Sequence, residues 1–155
     1  MLRRSTAILF LTLCVIFLGL LSPVSAAVIP ATDDLQALGQ TFQELRKIKG
    51  HFDGGEYNTD VDGFGGKKHE VMQQLHAALG EVGIQSTNIL SVMGPSDEIP
   101  AEILKELKRG EPQVTPPTNF RYLLYKWRGY HDYLWFRINL RTMTIQKSEW
   151  HFAYE

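Results

Sequence analysis

The sequence predicts an α+β domain, with N-terminal amphipathic helices packed on one face of a C-terminal three-stranded antiparallel β-meander. Two observations predict it. Apolar residues recur at helical spacing through the first part of the chain, to about residue 109, and glycine follows most of these segments. Beyond a proline-containing stretch at 110–118, aromatic and branched residues gather in short runs separated by turn residues. Helices followed by strands, with no alternation between them, is the order of an α+β domain.

Each element has its own warrant. Asp33 or Asp34 can cap a helix that runs to Lys49, with Leu35, Leu38, Phe42 and Leu45 on one face and Gly50 as its stop. A second helix is expected from Lys67 to Leu79, striped by Val71, Leu75, Ala78 and Leu79 and ended by Gly80. Thr87 to Met93 reads as a short capped helix closed by Gly94-Pro95. Pro100 to Lys108 gives a turn or two more, with proline at the first position, where its missing N–H costs little. The strands are Tyr122–Trp127, Tyr133–Ile138 and Met143–Phe152, joined by turns at Arg128-Gly129-Tyr130 and at Asn139–Thr142.

The first residues read as an address. Arg3 and Arg4 precede an apolar run from Ala7 to Leu21, and Ser22-Pro23-Val24-Ser25-Ala26-Ala27 supplies small residues suited to cleavage. A signal peptide at 1–26 is expected, with a single domain at 27–155: helical part about 33–109, loop 110–118, meander about 120–153. The run falls short of the ~20 residues that span a bilayer. Cys14, the only cysteine, lies inside it, so the exported part is expected to be disulfide-free and to depend on a packed core. Loss of Arg3 and Arg4 takes the formal net charge from −1 to about −3. That balance gives no argument for nucleic acid or for an anionic membrane. The expected destination is secreted, extracellular, with no membrane contact after cleavage.

Ser86-Thr87-Asn88-Ile89-Leu90-Ser91-Val92-Met93-Gly94-Pro95-Ser96-Asp97 resembles a segment of the BamE (SmpA/OmlA) outer-membrane lipoprotein family. A similar arrangement of two helices and a meander occurs in β-lactamase inhibitory proteins. The resemblance implies a fold whose relatives bind other proteins without catalysing a reaction. The chain lacks the lipid-attachment cysteine of BamE, so membrane anchoring is not implied. Separately, His51-Phe52-Asp53-Gly54-Gly55, Trp127 to Tyr133 and Trp150 to Glu155 resemble a group of uncharacterised fungal secreted proteins, which implies no activity.

Four features are candidates for chemistry. Asn58, Asp60 and Asp62, followed by Gly63, reproduce the opening of a calcium loop, where alternate oxygen donors converge before a sharp turn. The pattern then fails, with His69 at the twelfth position and Glu70 one place late. A Gly- and Asp-rich surface loop at 51–66, with acids capping turns, is the plainer reading. His69 and His76 are seven residues apart on one helix, too far for one ion, and read as surface histidines.

His131-Asp132 has the composition of a base with its orienting carboxylate, but neighbours on a strand point to opposite faces unless the turn bends them together. No nucleophile elbow accompanies them, and no catalytic residue is assigned. Finally, if the meander keeps one face open, Tyr130, His131, Asp132, Tyr133, Trp135 and Trp150 form an aromatic recognition surface. The plainer reading of the same rings is the core of a domain without disulfides.

Two functional readings stay open. The preferred one is a small non-enzymatic secreted protein that binds a protein partner through the aromatic sheet face or the Gly/Asp-rich loop. The other is an extracellular hydrolase or glycan-binding protein using carboxylates and aromatics. No cofactor beyond calcium is suggested.

Overall fold

The computed structural model describes residues 32–112 and 119–153. The expected leader and its cleavage site lie outside these residues, as do most of the loop at 110–118 and Tyr154. Among the described residues, five α-helices and a single 3-10 turn (His51–Asp53) precede three strands: α1 (Thr32–Leu45), α2 (Thr59–Asp62), α3 (Lys67–Leu79), α4 (Ser86–Met93), α5 (Ala101–Arg109), β1 (Phe120–Arg128), β2 (Asp132–Asn139) and β3 (Thr144–Phe152). The strands form an antiparallel sheet in the order β1-β2-β3. The architecture is the α+β meander that the residue pattern predicts.

Alternation along the strands builds two cores. Leu123, Tyr125 and Trp127 of β1 and Leu134, Phe136 and Ile138 of β2 face α1, α3 and α4. There they meet Phe42, Met72, Leu75, Ile89 and Met93, all fully buried or nearly so. Each such side chain contributes about 1.5–3 kcal/mol by leaving water. The intervening residues, Tyr122, Leu124, Tyr133 and Trp135, form a second cluster with Leu107, and Ile103 and Leu104 of α5 pack against it. So α5 lies on the sheet face opposite the other helices.

The chain reaches that face by passing the outer edge of β1. Gly94 and Pro95 end α4, and the Asp97 N–H then donates to Leu124 O at 2.8 Å. Asp97 Oδ2 accepts the Lys126 N–H at 2.8 Å. These two bonds occupy edge groups that a neighbouring strand would otherwise take. Arg46 holds the segment from the α1 side, donating to Pro95 O at 2.8 Å and pairing with Asp97 Oδ1 at 2.7 Å.

α1 and β1 depart from the sequence expectation. α1 ends at Leu45, four residues before Lys49, because the next amides form shorter turns, Lys47 N–H to Glu44 O and Ile48 N–H to Leu45 O. A break in register between Lys126 and Arg128 leaves Trp127 without a partner on β2, a β-bulge. Its carbonyl accepts the buried Lys68 Nζ from α3 at 2.9 Å.

Candidate functional site

The Gly/Asp-rich loop is held from inside by one carboxylate. Asp62 is 3% exposed, and its Oδ2 accepts the backbone N–H groups of His51 at 3.0 Å and Asn58 at 2.8 Å. Gly50 leaves the room: a Cβ there would lie within 2.2 Å of Asp62 Oδ1. Asn58 caps α2, its Oδ1 accepting the Asp60 N–H at 2.9 Å. The segment read as a calcium loop is therefore a helical turn, with Asp62 aimed inward and Asn58 spent on a cap, so its oxygens do not converge on an ion. Among the described residues, no group of three or more His, Cys, Asp or Glu is placed to hold a metal.

With its backbone fixed, the loop presents large rings outward. Phe64 is 76% exposed, Tyr57 64% and Phe52 37%. They have an ordered backing. The His69 ring stacks on Trp127 at 4.1 Å, and Phe64 lies 4.7 Å from His69. The Gly65 N–H donates to His69 Nδ1 at 3.1 Å, which leaves the proton of the neutral ring on Nε2. Burial, reinforced by the Arg128 charge, lowers the His69 pKa, so the ring is neutral at neutral pH. His69 is thus a buried part of an aromatic stack and not the surface residue expected.

The β1–β2 turn closes the other side. Gly129 has φ +56°, and a Cβ there would meet Phe52 O at 2.7 Å, so turn and loop touch directly. The Arg128 guanidinium lies 4.2 Å over Trp127 and 5.4 Å over Phe52. Its Nε is 2.5 Å from Asp132 Oδ2, an ion pair without the alignment of a linear hydrogen bond. Asp132 Oδ1 also accepts the Ala153 N–H at 3.1 Å, tying β3 to the turn. Asp132, 1% exposed, is spent on structure. His131 Nδ1 stands 3.5 Å from it, and the His131 ring packs 5.2 Å from Phe52. The turn does bring the two together, but around an arginine. Tyr130, 40% exposed, donates its hydroxyl to Glu98 O at 2.8 Å, with Lys126 Nζ 5.0 Å from its ring.

The six residues expected to form one recognition surface are therefore divided. Tyr130 and His131 belong to the aromatic end just described. Tyr133 and Trp135 are 3% and 8% exposed beneath α5, so the face expected to be open is largely covered there. Trp150 lies on the other face, stacked on Phe152 at 5.5 Å. Beside α5, a cleft of about 260 Å³ remains, lined among others by Glu106, Arg137, Lys147, Glu149 and His151. Glu149 is paired with Lys147 at 2.7 Å, and His151 stacks on Tyr133 at 4.6 Å. The buried rings of Tyr133 and Trp135 offer a sugar little stacking area.

A histidine–serine contact escaped the sequence reading, because its partners are 72 residues apart. His76 Nε2 is 2.8 Å from Ser148 Oγ. Ser148 already donates to Gly80 O at 2.7 Å, so the ring N–H is the donor and the hydroxyl the acceptor. That polarity is opposite to an activated nucleophile, where the histidine takes the hydroxyl proton. Among the described residues, no helix is long and apolar enough to cross a membrane. No family model, curated protein or solved structure matches the chain.

Proposed function

We propose that the chain is an exported, non-enzymatic recognition domain that binds a protein partner through the end where the 51–66 loop meets the β1–β2 turn. One observation carries this reading. Phe52, Tyr57 and Phe64 of the loop and Tyr130 of the turn are each exposed, on a backbone fixed by Asp62, the Trp127–His69 stack and Arg128. Exposed aromatic side chains on a rigid support bury large area at low entropy cost, as interface anchors do. The resemblance to BamE-type and β-lactamase inhibitory proteins points to the same class of activity.

The test is affinity capture from the extracellular fluid of the producing cells, comparing the natural protein with a Tyr57→Ser/Phe64→Ser variant. Both side chains are mostly in solvent, so the variant should keep its fold and lose the captured partner. Equal capture by both, or no partner from either, would count against this surface.

A further inference from the structure

A second site lies on the flank of the aromatic end, in a cavity of about 280 Å³ lined by Arg46, Lys47, Lys49, Lys68 and Lys126 with Asp53 and Asp97. Five cations there face two acids, in a chain whose formal net charge is −1. Both acids are already engaged. Asp97 pairs with Arg46 and accepts the Lys126 N–H, while Asp53 Oδ1 is 3.1 Å from Lys126 Nζ. Arg46 is also committed, to Asp97 and to Pro95 O, while Lys47 Nζ pairs with Glu44 Oε1 at 2.6 Å on the solvent side, an exposed pair that an incoming anion can replace.

Lys68 is the unusual member. It is 3% exposed, and among the described residues its only hydrogen-bond partner is Trp127 O. An ammonium carries three donors, so two remain for the cavity it lines. Burial holds this ammonium below its ordinary 10.5; Asp53 and Asp97 oppose that shift, and Lys126 and Arg46 add to it. A buried lysine so placed gains most from an incoming anion, which supplies the missing acceptors and the opposite charge together.

We propose that this cavity binds a phosphate-bearing ligand, held by Lys68 at its base and by Lys47 and Lys49 at its rim. Lysine ammoniums are compact point charges that the several anionic oxygens of a phosphate can meet from different sides, while the planar fork of Arg46, which fits carboxylate and phosphate alike, is already occupied. The site does not depend on the protein-recognition reading.

The probe is inorganic pyrophosphate, titrated calorimetrically into the purified protein near pH ~7 at matched ionic strength. Saturable binding is expected, weakened about tenfold or more by Lys68→Met, the equivalent of one partly buried charge contact. Lys68→Met also strips Trp127 O of its donor, so a Lys47→Gln/Lys49→Gln variant, altered only at exposed side chains, is measured beside it. It should fold normally and bind more weakly. Vesicles with and without phosphatidic acid then show whether the phosphate belongs to a lipid headgroup or to a soluble molecule. No saturable binding at millimolar pyrophosphate, or unchanged affinity in both variants, overturns the proposal.

Discussion

Asp62 shows how one buried carboxylate can order a loop whose rings mostly face solvent. It accepts two amide N–H groups, those of His51 and Asn58, in a part-buried site. Asp62→Ala should therefore cost about 2–4 kcal/mol, the loss of two hydrogen bonds to a charged acceptor discounted for partial exposure, with faster proteolysis of residues 51–66. Urea unfolding measures the first effect and limited proteolysis the second. His69 and His76 make a prediction about pH. Burial lowers both below the ordinary 6.5, so the unfolded chain takes up protons near that value while the folded chain does so only at lower pH. Stability should fall as pH drops from about 7 towards 5. A His69→Gln/His76→Gln variant should lose part of that slope; an unchanged slope would place the titration on other groups.

The helix α5 does for the second sheet face what α1, α3 and α4 do together for the first. Leu107 is its most buried residue, and Tyr122 donates its hydroxyl to Leu107 O at 3.1 Å. Burial pushes the Tyr122 pKa up to about 12, and the Glu111 carboxylate, 3.1 Å from the hydroxyl, adds to the shift. Leu107→Ala should cost about 2 kcal/mol, the low end for a buried leucine because its edge meets solvent. Uncovering Trp135 should also shift tryptophan emission to the red, and an unshifted spectrum would mean that α5 contributes little cover. Where an element's own residues set its limits, the sequence was a good guide: α3 begins at Lys67 and ends at Leu79, as its apolar stripe and Gly80 predict. α1 stops short of its predicted end, its last amides closing into shorter turns just where the Arg46 side chain reaches Pro95 O and Asp97, a partner 51 residues away.

At the scale of the molecule, the two sheet faces and the hairpin end have separate uses. The faces are core, and the aromatic rings left in solvent collect where the Gly/Asp-rich loop meets the β1–β2 turn. If the chain is exported as its first residues suggest, N-terminal sequencing of secreted material should begin at Ala27 or Val28. An intact Met1 on that material would overturn the expectation of a cleaved leader. Helical and alternating periodicities are local properties, so the residues alone determined the α+β order, the strand limits to within a residue or two and the candidacy of the 51–66 loop. Only the tertiary structure decided which rings are core and which are surface. Tyr133 and Trp135 point away from the main core, as alternation requires, but whether they meet water depends on where α5 lands. That placement is set by the turn of the chain around the β1 edge, through Asp97 and Arg46. Long-range contacts of this kind also seated Lys68 beneath the bulge at Trp127 and turned Asp62 inward, and no local pattern encodes them.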